Sequence, residues 1–217
     1  MDTLELPVIV IGGGGHAKVL VSTLLLCGRR ILGFVDLSPT APPLLGIKCL
    51  GSDAAVLFHA PSDLQLVNGV GSAGSTARRQ DVYDRFTREG YGFATVKHPS
   101  AIIAPEVEIE DGVQIMAGAV VQAGCRLGAN VIVNTGAEVD HDCIIDSHAH
   151  IAPGVTICGA VDVGTGAHIG AGATLIQGIR IGAGSIVGAG ALVIRDVPRG
   201  ARVIGVPAAP ISDRGTA

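Results

Sequence analysis

The feature that most constrains this chain is a six-residue repeat that runs without an insertion from Ile103 to Pro198. Its sixteen hexads place Ile, Val or Leu at the first position and Val, Ala, Cys, Ser or Ile at the fifth. A helix repeats every 3.6 residues and a strand every two, so neither explains this period. The pattern predicts a left-handed parallel β-helix of hexapeptide repeats, in which three hexads form one triangular coil.

Composition agrees with such a solenoid. The chain has 32 glycines among 217 residues, 3% aromatic residues and no tryptophan, yet 48% of its residues are hydrophobic. First-position aliphatics are expected to point inward and stack on the next coil about 4.8 Å above, with glycine at turns that need positive φ. A disordered chain would be more polar and charged, and the glycines lack the three-residue period of collagen.

Charge and hydropathy exclude several partners. Nineteen acidic residues against fifteen Lys and Arg give a net charge of −4, so we expect no binding to nucleic acid or anionic membranes. The N-terminal sequence lacks the cationic region of a signal peptide, and the longest apolar run, residues 19–27, is too short for membrane insertion. Five cysteines without a CxxC pair are typical of reduced thiols. We therefore expect a cytoplasmic protein.

Residues 1–96 have a different pattern, which predicts a small α/β, Rossmann-like half-domain. Strands are expected at residues 7–11, 31–35 and 64–70, and helices at 18–27 and 75–89. Gly12-x-Gly14-x-x-Ala17 follows the first strand and Asp36 the second, as in dinucleotide fingerprints. About 90 residues are too few for a full NAD site, so a nucleoside diphosphate fits better. A tight turn without a ligand remains the alternative.

Histidines in the repeats suggest two kinds of chemistry. His141 lies beside Asp142, and a carboxylate can fix the tautomer of a general-base imidazole; the alternative is a surface histidine in an acidic turn. His150 and His168 are eighteen residues apart, so we expect them one coil apart on one edge, where they could share zinc. Because no third ligand lies in register, polar turn residues and no metal are favoured.

Several segments together resemble a known family. GGGGHAK, FVD, HPSA, VNTGAEVDHDC and VIGVPA are similar to segments of bacterial nucleotide-sugar N-acetyltransferases of the sialic-acid O-acetyltransferase-like hexapeptide family, over roughly residues 7–211. The resemblance implies acetyl-CoA as co-substrate and a homotrimer with ligands in clefts between subunits. It implies transfer to the C4 amine of a nucleotide-linked 4-amino-4,6-dideoxy sugar, and it favours GDP-perosamine.

The resemblance also implies roles for particular residues. His141 is the catalytic base and Asp142 orients it. The remaining positions contact the two substrates: Gly13, Gly14 and Gly15 the nucleotide diphosphate, Asp36 the base and ribose, Asn134 the sugar, His150 the acetyl end of acetyl-CoA, and Gly159, Ala171 and Ala189 its pantetheine arm. Gly13-Gly14 replaces a more usual Ala-Ser pair, so the resemblance does not fix the number of hydrogen bonds to the phosphate.

Three units are therefore expected: a nucleotide-sugar-binding domain (1–96), a β-helix acetyltransferase domain (97–198) and a tail that closes over the coils (199–217). Other functions remain open at this point. The same scaffold serves O-acetyltransferases that act on sialic acid or another sugar hydroxyl. A zinc lyase of the carbonic-anhydrase type would contain stoichiometric zinc, and a non-catalytic nucleotide-sugar-binding module would bind without acetyl transfer.

Overall fold

The computed structural model of the chain describes residues 5–38 and 40–211. The predicted first domain and tail extend beyond these, since residues 1–4, 39 and 212–217 lie outside the described residues. The fold prediction is confirmed: a three-stranded parallel α/β domain precedes a left-handed parallel β-helix. In the described ranges, no helix is long and apolar enough to cross a bilayer.

The elements of the N-terminal domain are β1 (Val8–Ile11), α1 (Gly15–Leu26), β2 (Ile31–Val35), a 3₁₀ helix (Asp53–Phe58), β3 (Gln65–Asn68) and α2 (Ala77–Arg88). The three strands form a parallel sheet in the order β2–β1–β3. All four β1 residues are buried, which explains the continuous apolar run. Helix α1 begins three residues before the predicted start, because Gly14 is already its extended N-cap residue. The glycines thus belong to the helix N-terminus itself.

The solenoid has three faces, each a parallel ladder of very short strands. The first face contains Val96–Lys97, Gln114–Ile115, Ile132–Val133, His150–Ile151, His168–Ile169, Ile186–Val187 and Arg202–Ile204, which an antiparallel Ala209–Pro210 extends. The second contains Ile102–Ile103, Val120–Val121, Glu138–Val139, Thr156–Ile157, Thr174–Leu175 and Leu192–Val193. The third contains Glu108–Ile109, Arg126–Leu127, Ile144–Ile145, Asp162–Val163 and Arg180–Ile181.

The predicted coil length of eighteen residues is confirmed by the register. Ile132 pairs with His150, and His150 pairs with His168. First- and fifth-position side chains fill the core, and Cys125 and Cys143 are fully buried among them. The fourth position of every hexad from residue 112 to residue 190 has φ between 56° and 74°. This left-handed corner explains why glycine recurs there.

A buried polar network joins the N-terminal domain to the solenoid. Arg79 of α2 is 1% exposed and donates to the backbone carbonyls of Asn68, Val70 and Asn130. The side chain of Asn68 donates to that of Asn130 across the junction, at 3.2 Å. Burial lowers the pKa of Arg79 to about 9, so it remains a cation at neutral pH. The network fixes the end of β3 against the first face.

Candidate functional site

The carboxyl ends of β1, β2 and β3 form a cradle around the glycine loop, residues 12–15. The backbone N–H of Gly13 donates to Oδ2 of Asp36 at 2.7 Å, and Oδ1 of the same carboxylate accepts from Ser38. A Cβ added to Gly13 would lie 2.9 Å from both Asp36 Oδ2 and the Phe34 ring. Glycine is therefore required for β2 to approach the loop, and Asp36 lies where the sequence predicts an acid.

The start of helix α1 faces open space. A Cβ added to Gly14 or Gly15 would meet no atom within 4 Å, and the first turn of α1 contains no acidic residue. The unpaired N–H groups at a helix start attract anions. This end of α1 is thus suited to bind phosphate.

His16 links the glycine loop to the first face of the solenoid, a contact that the sequence did not predict. Nε2 of Gln114 donates to the backbone carbonyl of Asn68 at 2.8 Å, so its Oε1 is the atom that lies 2.7 Å from Nε2 of His16. A carboxamide oxygen only accepts, so His16 carries its proton on Nε2. Burial and the Arg79 cation lower the pKa of His16 to about 4, which keeps the ring neutral.

His150 lies at the same junction and contacts both domains. Its Nδ1 lies 2.5 Å from Oγ of Ser72, and its Nε2 lies 3.1 Å from Nδ2 of Asn134. His168 packs edge-on against it with ring centroids 5.1 Å apart, as the eighteen-residue spacing predicts. Burial, His168, His16 and Arg79 together lower the pKa of His150 to about 3. Asn134 and His150 thus lie together, next to the N-terminal domain.

A zinc site at the histidine pair would need a third ligand. Within residues 5–38 and 40–211, no three His, Cys, Asp or Glu side chains are grouped as a metal site. The zinc-lyase alternative therefore has no ligand set in the part of the chain that the structure describes.

His141 lies elsewhere, at the corner between the second and third faces. Its Nδ1 is 2.9 Å from Oδ2 of Asp142, and its backbone N–H donates to Oδ1 of Asp140 at 2.8 Å. Its side chain is 60% exposed. The hydrogen bond to Asp142 and the charge of Asp140 raise the pKa of His141 above its ordinary value. The ring is therefore accessible and basic, and its tautomer is fixed with Nε2 unprotonated.

Gly159, one coil after His141, leaves space for the imidazole ring. A Cβ added to Gly159 would lie 2.5 Å from both Cε1 and Nε2 of His141. Gly159 therefore supports the imidazole directly, a contact that the sequence did not predict. Ala171 and Ala189 lie one coil apart on a different corner, between the first and second faces, where both are exposed.

The predicted site residues thus form two groups within one chain. The first, the junction group, contains the glycine loop, Asp36, Asn134 and His150. Ala171 and Ala189 lie along the same edge of the solenoid as Asn134, between the first and second faces. The second group contains His141, Asp142 and Gly159. Strand Glu138–Val139 of the second face separates Asn134 from His141, so the two lie at different corners of the triangle.

Comparisons with known proteins identify both parts of the chain. A model of the PglD N-terminal domain matches residues 7–86, and a model of bacterial transferase hexapeptide repeats matches residues 106–141. No curated protein matches the sequence.

Solved structures match nearly the whole chain. A histidine-to-alanine mutant of GDP-perosamine N-acetyltransferase from Caulobacter crescentus, in complex with CoA and GDP-perosamine, is 38% identical with a TM-score of 0.90, covering 95% of this chain and 97% of that one. The acetyltransferase domain of PglB from Neisseria gonorrhoeae, in complex with acetyl coenzyme A, is 34% identical with a TM-score of 0.89, covering 95% and 100%.

Proposed function

Because the chain belongs to the family of acetyl-CoA-dependent, hexapeptide-repeat nucleotide-sugar N-acetyltransferases, we propose that it acetylates the C4 amine of a nucleotide-linked 4-amino-4,6-dideoxy sugar, with GDP-perosamine as the best candidate. The observation that carries the proposal is the 38% identity, over 95% of the chain, to an enzyme bound to CoA and GDP-perosamine. The open start of α1 beside Asp36 supports binding of the nucleotide diphosphate.

The general base in this proposal is His141. A base works best when its pKa lies near the working pH, and Asp142 and Asp140 raise the pKa of His141 above its ordinary value. His150 is the competing histidine, but a pKa of about 3 makes it a poor proton acceptor. Both of its ring nitrogens are also already hydrogen-bonded. These differences favour His141.

In the proposed reaction the amine nitrogen attacks the thioester carbonyl of acetyl-CoA, and Nε2 of His141 takes the proton that the nitrogen loses. The C–S bond then breaks, and the same proton passes to the departing thiolate, giving the amide and CoA. Asp142 stabilises the imidazolium through Nδ1–H. General-base catalysis of this kind contributes roughly 10²–10⁴-fold, and orientation of two bound substrates supplies further acceleration.

The site in this proposal is completed by a second copy of the chain. His141 and Asn134 lie at different corners of one solenoid, so a substrate held at the junction group is out of line with its own His141. A closed homotrimer would bring the His141 corner of one subunit to the junction group of the next. The exposed His141 side chain supports this arrangement.

The experiment compares the wild-type protein with His141→Asn. We expect the wild type to release thiol from acetyl-CoA with one or more of a panel of GDP-, UDP- and dTDP-linked 4-amino sugars. In His141→Asn, kcat should fall at least tenfold, while CoA affinity and thermal stability stay unchanged because the side chain is exposed.

The panel also contains the corresponding 4-hydroxy sugars and a free sialic acid. Transfer to a hydroxyl in preference to every amine would identify the O-acetyltransferase alternative. A His141→Asn variant with the full wild-type rate would exclude His141 as the base. Nucleotide-sugar binding without thiol release from any acceptor would instead indicate a non-catalytic binding module.

A further inference from the structure

The hydrogen bonds of Asn134 show which tautomer of His150 is present. The backbone N–H of Thr135 donates to Oδ1 of Asn134 at 2.8 Å, and this fixes which end of the carboxamide is oxygen. The amide nitrogen, Nδ2, therefore faces Nε2 of His150. Since an amide nitrogen only donates, Nε2 of His150 accepts, and the ring proton of the neutral histidine is on Nδ1.

Ser72 is the partner of that proton. Its Oγ lies 2.5 Å from Nδ1 of His150. Since the proton is on Nδ1, the ring donates and the hydroxyl oxygen of Ser72 accepts. Ser72 follows β3 at the carboxyl edge of the N-terminal sheet. The contact therefore joins the nucleotide cradle to the solenoid across 78 residues of sequence.

The orientation of Asn134 leaves one amide hydrogen for a ligand. Nδ2 carries two hydrogens, and His150 accepts one of them. The other belongs to a partly exposed side chain at the start of the corner between the first and second faces. A ring protonated on Nε2 would present a donor to this amide, and the amide would have to turn over to remain bonded.

We infer that Ser72 is a positioning residue: it holds His150 in the Nδ1–H tautomer, so that His150 fixes Asn134 with its second N–H directed at an oxygen atom of a substrate. The inference rests on the proposed function and deepens it. The oxygen acceptor is either a sugar hydroxyl or the acyl carbonyl of acetyl-CoA. Loss of the first interaction raises KM for the amino sugar, whereas loss of the second lowers kcat, because charge develops on the carbonyl oxygen in the transition state.

The hydrogen bond from Asn134 to His150 requires His150 to be neutral. The ring is 4% exposed and lies near three groups that disfavour its protonation, His168, His16 and Arg79. A proton on both nitrogens would remove the acceptor that Asn134 uses. The surroundings of His150 therefore preserve the hydrogen-bond direction that Ser72 and Asn134 require.

The test uses Ser72→Ala, Ser72→Thr and a control, Ser75→Ala, in the full chain. Ser75 lies in the same loop, where its Oγ accepts from the N–H of Ala77. We expect Ser72→Ala to lower kcat/KM by roughly tenfold, the loss of one well-placed hydrogen bond. Ser72→Thr retains the hydroxyl and should recover most of the rate, and Ser75→Ala should behave as wild type.

A second measurement separates positioning from folding and does not depend on activity. Nitrogen NMR of ¹⁵N-histidine-labelled protein, assigned with His150→Gln, should show His150 protonated on Nδ1 in the wild type. In Ser72→Ala it should show a mixture with the Nε2–H form. A wild-type ring protonated on Nε2 overturns the inference, as does a Ser72→Ala variant with unchanged tautomer and unchanged kcat/KM. If the wild type transfers no acetyl group, the proposed function fails, while the tautomer of His150 still tests the role of Ser72.

Discussion

Two flanking acids control the protonation of His141, the proposed base. The hydrogen bond to Asp142 and the charge of Asp140 raise its pKa above the ordinary value. A general base must be unprotonated in the free enzyme, so the raised pKa reduces the active fraction at neutral pH. Activity is therefore expected to rise as the pH increases through this pKa. In return, the same carboxylates would stabilise the imidazolium that forms in the proposed reaction.

We predict that Asp142→Asn shifts the acidic limb of the kcat/KM profile to lower pH, because the variant loses the interaction that contributes most to the raised pKa. At high pH kcat should also fall, since the imidazolium loses its carboxylate partner. Asn tolerates the left-handed conformation that Asp142 adopts, with φ of 59°, so the corner should keep its shape. The measurement is the pH dependence of kcat/KM.

Asp140→Asn is the matched control. Asp140 bonds to the backbone N–H of His141 rather than to the ring, so its loss should move the limb less than the loss of Asp142. A limb that stays in place in Asp142→Asn, with wild-type kcat at high pH, would contradict the assignment of this titration to His141.

At the scale of the coil, glycines above and below create the space that His141 and Asp142, the proposed catalytic pair, occupy. Gly159 lies against the His141 ring, and a Cβ added to Gly124, one coil earlier, would be blocked by Oδ1 of Asp142. Because coils stack in register, residues eighteen apart in sequence are neighbours in space. The position of the base therefore depends on three successive coils.

We predict that Gly159→Ala lowers kcat at least tenfold with little loss of stability. Gly159 does not have the positive φ of the corner glycines, so alanine is compatible with the backbone. The new methyl group would lie 2.5 Å from Cε1 and Nε2 of His141 and must displace the exposed ring. A displacement of about 1 Å at a reacting group can cost roughly 100-fold. Steady-state kinetics and thermal unfolding measure the two effects.

Two further variants test whether the loss acts through His141. Gly92→Ala is the control, because a Cβ there meets nothing within 4 Å, and it should leave both measurements unchanged. Gly159→Ala introduced into His141→Asn should add little to the loss already present, since coupled residues are not additive. A full additional loss in the double variant would show that Gly159 acts on another part of the reaction, such as the pantetheine arm.

Repetition explains which contacts could be predicted. The hexad period specifies the fold, the register and the pairing of His150 with His168 without knowledge of the rest of the chain. The contact between Ser72 and His150 has no such period: Ser72 lies in a loop, and the contact depends on how two domains pack. The same holds for His16 and Gln114, which are 98 residues apart.

Corner positions that lack glycine are a further signal in the sequence. Of the fourteen fourth positions from residue 112 to residue 190, ten are glycine, and the others are Asn130, Asp142, His148 and Ala160. A non-glycine residue at positive φ costs free energy and tends to persist where its side chain is needed. Asn130 bonds to Asn68, and Asp142 bonds to His141. The non-glycine residues with positive φ therefore include one at the domain junction, Asn130, and one beside the proposed base, Asp142.

At the scale of the whole molecule, the fold attaches the cradle around the glycine loop, which is proposed to bind the nucleotide, to one face of the solenoid. Arg79 and Thr76 of the N-terminal domain donate to carbonyls of Asn130 and Gly166 in the solenoid. This attachment orients the cradle toward Asn134 and His150 and leaves His141 at another corner. The fold of a single chain therefore keeps the junction group apart from His141, and assembly into a homotrimer would bring them together.

We predict that two inactive variants restore activity when they share a trimer. Asp36→Ala impairs the nucleotide cradle and His141→Asn removes the base, so each alone should show little acetyl transfer. In a ring of three, every mixed trimer has one interface of its three that combines an intact cradle with an intact base, so purified mixed trimers should show about one third of wild-type activity. Differently tagged subunits are co-expressed, and doubly tagged trimers are purified and assayed. Because neither chain carries both intact groups, verified mixed trimers without activity would mean that each site lies within a single chain.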